Sequence, residues 1–405
     1  MEAFDGEVVM KKKDNGPTLY NTPYECCGCS ACASSCPVNA IHMCADKEGF
    51  LYPHVDHKKC ISCKLCEQVC PLKNNEPERT EPLEIFAVKN SDLAKRMQSA
   101  SGGAFSLFAE WMESQDGIIY GAAYDQTFRV CHQRAEGAGA WKKFCTSKYV
   151  QSSIGDCFVQ VKEDLDAGLP VLFSGTPCQI QGLKYFLRNT NTDKLLTCDL
   201  ICRAVPSPLI WEEWLHMMQE QIKSPIDEIN FREKEGTGWH NSSLTIKGKD
   251  GEILYTGTHN KNAFSRIFFK GLSMRPSCFH CKYSSLKRYG DITLGDYWGV
   301  ESNFPEFDDN MGISLVMCNT EKGLTIWNRV FDKTESFSIS KEQCIQPALQ
   351  QPAEEPKGRK TFWKVYQGHG LNAALKVFRM APLSSPVEKV IVKVYRGFLR
   401  AIDAL

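Results

Sequence analysis

The chain has 405 residues, 42% hydrophobic and 24% charged, enough apolar material for more than one packed domain. Its 48 basic and 48 acidic side chains cancel, so overall charge gives no argument for a nucleic-acid partner. Twenty cysteines, a polar N-terminal stretch without an apolar signal core and no run of about 18 apolar residues lead us to expect a reducing, cytoplasmic setting, where thiols serve as metal or cluster ligands.

Residues 1–19 read as a loose leader. Residues 20–76 carry two runs, Cys26-x2-Cys29-x2-Cys32-x3-Cys36-Pro37 and Cys60-x2-Cys63-x2-Cys66-x3-Cys70-Pro71, with the spacing of a bacterial two-cluster ferredoxin. Each cysteine of the first run has a counterpart 34 positions on: 26 with 60, 29 with 63, 32 with 66 and 36 with 70. In this pattern three thiolates wrap one 4Fe–4S cluster and the fourth, before proline, reaches the other. Cys26, Cys29, Cys32 and Cys70 are therefore assigned to one cluster, and Cys60, Cys63, Cys66 and Cys36 to the second. At about one cysteine in twenty, three prescribed followers arise by chance at roughly one start in ten thousand. The run is also too compact for separated zinc knuckles. Cys27 and Cys44 fit neither run and read as neighbours of the clusters or as incidental.

A polar, proline-bearing connector follows, and from about residue 84 the pattern becomes that of a mixed α/β domain extending to 345. IFAVKN, GIIYGAAY, PVLFSGTP and ISLVMCN read as strands, and Ser101-Gly102-Gly103 opens a helix over AFSLFAEWM. Residues 207–222 have the spacing of an amphipathic helix, and INFREK, SSLTIKG and EILYTG form a group of short strands. Residues 346–358 read as a second linker within a terminal segment, 346–405, that ends in a basic helical tail. The fold class expected is α+β or α/β: a ferredoxin domain fused to a mixed α/β flavin-binding domain.

Five segments resemble the coenzyme F420 hydrogenase/dehydrogenase beta-subunit family. They are Ser101-Gly102-Gly103-Ala104; Ser147 to Ser152 (SKYVQS); Ser174 to Gln179 (SGTPCQ); Asp199-Leu200-Ile201-Cys202 followed by Val205-Pro206-Ser207-Pro208; and Arg275-Pro276-Ser277-Cys278 with Cys281, running into Asp291 to Gly299 (DITLGDYWG). With the cysteine runs, the resemblance covers about residues 20–330. It implies an FAD-binding α/β domain that exchanges electrons between iron–sulfur clusters and a two-electron partner; members act on deazaflavin coenzyme, ferredoxin or a chlorophyll intermediate. Where the family usually has His-Gly after the DLIC cysteine, this chain has Arg203-Ala204, which removes any proton-transfer role for that histidine and leaves the cysteine in place.

Within these motifs Cys178, Cys202, Cys278 and Cys281 are expected to hold a third 4Fe–4S cluster. The other reading makes Cys178 and Cys202 small buried hydrophobes and Cys278/Cys281 a zinc half-site. Cys198 is a competitor for the position of Cys202. For the flavin, Ser101, Gly102 and Gly103 offer a close-approach turn at a helix N-terminus. Lys148 and Tyr149 lie in a second motif, Ser174, Gly175 and Thr176 offer another loop, and Asp291 and Asp296 could orient ring or ribose contacts. No G-x-G-x-x-G fingerprint marks a Rossmann nicotinamide site.

The function expected is a flavin-dependent iron–sulfur oxidoreductase acting on a small molecule. The forms it resembles in surface-polysaccharide gene clusters make a sugar or glycolipid precursor a candidate substrate. The alternative is an electron-transfer beta subunit of a larger hydrogenase or formate dehydrogenase complex, with ferredoxin or a redox subunit as donor. In the tail, Val387, Val390, Ile391, Val394, Phe398, Ile402 and Leu405 share one helical face, with Lys389, Lys393, Arg396 and Arg400 off it. That helix is expected to pack on the body or on a second copy of the chain, with peripheral membrane contact as the other reading.

Overall fold

A computed structural model describes residues 16–74, 81–381 and 385–401. Most of the expected leader lies outside them, as does the middle of the connector after the cysteine runs. The 34-residue sequence repeat is also a structural repeat. Two one-turn helices, Ala31–Ser34 and Leu65–Gln68, each follow a residue in the left-handed region, Ser30 (φ 65°) and Lys64 (φ 62°). Strands β1 (Ile41–Ala45) and β2 (Leu51–Val55) form an antiparallel hairpin between them.

The body is built on an eight-stranded sheet and a separate three-stranded sheet. In chain order its strands are β3 (Glu84–Asn90), β4 (Ile118–Tyr124), β5 (Val130–Ala135), β6 (Val171–Gly175), β7 (Leu195–Leu200), β8 (Glu228–Glu233), β9 (Ser243–Lys247), β10 (Ile253–Thr258), β11 (Ile292–Asp296), β12 (Ser314–Cys318) and β13 (Thr334–Ser338). The large sheet has the order β13-β3-β12-β11-β7-β6-β4-β5, and β8, β9 and β10 make the small antiparallel one. The pairs β4/β6, β6/β7 and β7/β11 are parallel, so the carboxyl ends of these four strands share one edge. Ligand sites of open α/β sheets gather at that edge. The parallel strands are apolar on both faces because helices cover both. Helices Ala104–Glu113 and Glu321–Val330 bury Leu107, Phe108, Ile326 and Trp327 on one face, and Cys157–Asp166 and Pro177–Phe186 bury Phe158, Val161, Ile180 and Leu183 on the other.

Helix Pro208–Ile222 is N-capped by Ser207 Oγ, which accepts from Ile210 N at 3.2 Å. It buries Trp211 and Trp214 against the three-stranded sheet. Two parts of the terminal segment differ from the expectation. Residues 346–358 are packed against the body: Leu349 is buried, Gln346 Nε2 donates to Asp296 O at 3.1 Å, and Glu355 accepts from the Tyr24 hydroxyl at 2.8 Å. Helix Arg359–Val377 belongs to the core, with Phe362, Trp363 and Leu375 packed beside Trp211 and Trp214. Its apolar residues are aromatic and scattered, which hides the burial from a reading based on periodicity. Helix Pro386–Ala401 meets the body through Tyr395 and the Lys376–Glu388 ion pair, while Val387, Val390, Ile391 and Val394 stay more than 60% exposed. The valine face therefore does not pack on the body. No helix among the described residues is long and apolar enough to cross a membrane.

The cysteine lobe is docked on the body. Ser207 Oγ donates to Glu48 O at 2.5 Å, Glu48 pairs with Arg359, and a Cβ on Gly49 (φ 81°) would lie 2.3 Å from Leu209 Cβ. Only glycine permits both that backbone conformation and that approach.

Candidate metal centres and adjoining cleft

Two hollows in the lobe are each lined by four run thiols. Cys26, Cys29, Cys32 and Cys70 line the first, with Leu19, Met43, Pro53 and Leu72 as its apolar wall. Cys36, Cys60, Cys63 and Cys66 line the second. The structure thus brings together each crossed set assigned from the spacing. Four thiols around a small apolar hollow fit a 4Fe–4S cluster. Burial pushes the Cys66 thiol up to about 11, so ligation there requires proton release.

A third set forms at the sheet edge. Cys178 follows β6 in the first turn of helix Pro177–Phe186, Cys202 follows β7, and Cys278 and Cys281 come from the loop before β11. These thiols are mutual electrostatic neighbours: Cys202 faces Cys278, Cys178 and Cys281, and Cys178 also faces the latter two. Burial pushes Cys278 up to about 12. Four converging thiols from three loops fit a cluster and not a half-site. Cys198 is instead turned into the sheet core within β7.

Two buried polar devices hold this edge. Asp199, fully buried, accepts from Arg288 Nη2 at 3.0 Å and Thr293 Oγ1 at 2.6 Å, tying the start of the Cys202 loop to β11. His132 Nε2–H donates to Ser174 O at 3.0 Å, which makes Nδ1 the acceptor for Ser152 Oγ at 3.0 Å. Burial holds His132 down to about 4, so the ring is neutral.

Cys27 and Arg275, which the sequence leaves without a ligand role, link the first and third thiol sets. The Cys27 thiol is in hydrogen-bonding contact with Cys178 and Cys29. Arg275, with no exposed surface, donates from Nε to Cys26 O at 2.9 Å, from Nη1 to Gln151 Oε1 at 2.8 Å and from Nη2 to Leu51 O at 3.0 Å. Its charge faces Cys26, Cys27 and Cys278. A cysteine adjacent to a run, and an arginine inside a motif, are the signals the chain offers for them. Cys44 is exposed and Arg203 is on the surface.

Several expected flavin contacts are used by the protein itself. A Cβ on Gly102 would lie 2.3 Å from Val88 O and 2.4 Å from Ser314 N, so the close approach is to strands β3 and β12. Gly103 (φ 82°) precedes the helix, and Ser101 Oγ donates to Ile313 O at 2.8 Å. Lys148 Nζ donates to Thr146 O at 3.0 Å and to Lys143 O, and burial lowers it to about 7. Ser174 and Gly175 end β6, and Thr176 makes a capping box with Gln179 on the Cys178 helix, so this loop serves the third thiol set. Asp291 accepts from Thr197 N at 2.9 Å, Thr197 Oγ1 at 2.6 Å and Thr320 Oγ1 at 2.9 Å. It sits at the amino end of β11, the opposite edge from Asp296, and is a structural anchor.

Tyr149 and Asp296 do converge, in a cleft between the large and small sheets. Asp296 Oδ1 accepts from Trp239 Nε1 at 2.9 Å, and its Oδ2 lies 3.4 Å from Nη2 of buried Arg232 on β8. Tyr149 stacks on Phe268 at 5.6 Å and neighbours His259 and Arg232. Trp298 stacks on Trp239 with centroids 4.7 Å apart and planes 2° from parallel. Tyr149 and Cys278 pack on the same Phe268/Phe279 cluster, so the cleft adjoins the third thiol set.

The family described as the C terminus of the coenzyme F420 hydrogenase/dehydrogenase beta chain matches residues 169–340, and a 4Fe-4S dicluster domain matches residues 25–74. The chain belongs to the coenzyme F420 hydrogenase/dehydrogenase beta-subunit family. Its relatives include the F subunit of the F(420)H(2) dehydrogenase of Methanosarcina mazei, 21% identical over 323 residues that cover 76% of this chain and 83% of the relative. Formate hydrogenlyase subunit 2 of Escherichia coli is 33% identical over 87 residues, 22% of this chain and 38% of the relative. A chain of the F420-reducing NiFe hydrogenase complex from Methanosarcina barkeri aligns over 76% of this chain and 94% of its own length, with 17% identity and a TM-score of 0.45. This family member is an iron–sulfur electron-transfer protein, with its dicluster domain at the N-terminus.

Proposed function

We propose that the protein is an electron-transfer beta subunit of a hydrogenase- or dehydrogenase-type complex, with three 4Fe–4S clusters and a flavin in the cleft beside the third. The observation that carries this is contiguity. The Cys36/Cys60/Cys63/Cys66 set adjoins the Cys26/Cys29/Cys32/Cys70 set within one lobe. Cys27 and Arg275 join that set to Cys178, Cys202, Cys278 and Cys281, and the Phe268/Phe279 cluster joins those to Tyr149 and the cleft. When bound, the clusters carry single electrons and a flavin exchanges them for pairs. The protein's part is to hold each group in a thiol set or cleft, to exclude water with apolar walls, and to place a fixed cation between the first and third thiol sets.

The names of the relatives favour a subunit over a free-standing enzyme of surface-polysaccharide synthesis, and no group in the cleft selects a sugar. The two-electron partner proposed is a deazaflavin of the coenzyme F420 type. Anaerobic purification tests the reading: about 12 iron atoms per chain and one flavin support it. About eight iron would remove the third cluster, and failure to bind FAD after reconstitution would remove the flavin.

A further inference from the structure

Arg232 is a buried cation whose best recognition edge is open. Among the described residues its Nε and Nη2 have no hydrogen-bond partner, and these two nitrogens share one edge of the guanidinium, the side-on fork that receives two oxygens of one oxyanion. The nearest carboxylate oxygen, Asp296 Oδ2, stands 3.4 Å from Nη2 and leaves the fork unfilled. Both ring nitrogens of neighbouring His259 are likewise buried without a partner. A buried donor left unmade keeps its full desolvation cost, and a charged one costs most, so two adjacent unpartnered side chains point to a missing ligand. The Trp239/Trp298 stack lies alongside, with Arg232 Cζ 5.2 Å from the Trp298 ring centroid and Trp298 37% exposed. The cleft therefore pairs a cationic fork with an aromatic surface.

We propose that the Nε/Nη2 edge of Arg232, with His259, receives a phosphate oxyanion of the flavin nucleotide. The proposal rests on the flavin reading above and adds its anchoring group, which the glycine turn at 101–103 does not supply.

The test is flavin binding to the anaerobically purified, iron-replete full chain, followed by fluorescence quenching with FAD, FMN and riboflavin. Arg232→Met is expected to weaken FAD and FMN by about 10- to 100-fold, the loss of a charge-assisted pair, and to leave riboflavin unchanged. His259→Gln is expected to weaken them less. Asp296→Asn, which removes a competing carboxylate, is expected to tighten them. Unchanged iron content and circular dichroism show that each variant is folded; where Arg232→Met fails that check, His259→Gln and Asp296→Asn decide. Wild-type affinity for FAD in the folded variants, or an equal loss for riboflavin, overturns the proposal while the flavin reading stands. If the wild type binds no flavin, the flavin reading fails and inorganic pyrophosphate becomes the probe. An Arg232-dependent rise in melting temperature then supports an oxyanion site, and no rise overturns it.

Discussion

Arg275 Nε donates to the backbone carbonyl of Cys26 at 2.9 Å, which places a fully buried guanidinium between the first and third thiol sets. The contact holds the lobe to the body and sets a positive charge where electrons arriving would otherwise meet only apolar walls. Gly28 makes room for it, since a Cβ there would lie 2.7 Å from Arg275 Nη1.

Arg275→Met should keep most of the iron and lower the reduction potential of the clusters on either side. One charge lost at close range in a partly screened interior amounts to about 1–2 kcal/mol, or roughly 50–100 mV for one electron. Arg275→Lys, which keeps the charge and loses the fork, should sit closer to wild type. Redox titration followed by electron paramagnetic resonance reads the shift; a potential equal to wild type in the methionine variant would refute the electrostatic role.

Cys278→Ser should remove about four iron atoms per chain and leave the signals of the paired lobe clusters. Cys27→Ala should retain the full iron complement, because both lobe hollows and the third set have four thiols without it. Iron loss in Cys27→Ala would instead identify it as a ligand.

Asp199→Ala leaves Arg288 buried without its counter-charge, a cost of about 3–5 kcal/mol. Melting temperature should fall, and iron should be lost first from the set containing Cys202, whose loop the pair anchors. Asp199→Asn, which keeps the shape and part of the hydrogen bonding, should fall between. Retention of full iron at unchanged stability in the alanine variant would contradict this.

Stability should decline on acidification in a window set by His132. Its folded pKa is depressed from 6.5 to about 4 by burial, so below 6.5 the unfolded chain takes up a proton that the folded one refuses. The loss begins near pH 6.5, grows to about 3 kcal/mol by pH 4, and then levels off. His259, also held down to about 4 by burial, acts in the same sense. His132→Gln should be less stable than wild type at about pH 7.5 and should show a shallower decline between pH 6.5 and 4, measured as anaerobic melting temperature against pH. An equal slope would show that His132 does not control the window.

The lobe and most strands were legible because their signals are local. The cysteine runs hold ligand spacing within eleven residues, and segments such as GIIYGAAY and ISLVMCN are apolar at strand length. The flavin contacts were not. Gly102 and Asp291 sit in recognisable motifs, yet their neighbours are Val88, Ser314, Thr197 and Thr320, and only those neighbours show that each serves the protein's own backbone.

By itself the sequence determined the ligand chemistry of the two lobe clusters and the family, since thiol spacing and ordered motifs lie along the chain. Only the tertiary structure decided which distant groups meet. It set Cys27 against Cys178, Arg275 against Cys26, and the open edge of Arg232 beside Asp296. These contacts join residues 64 to 249 positions apart, and burial, which makes a charge or an unpaired donor consequential, exists only once the sheets have packed.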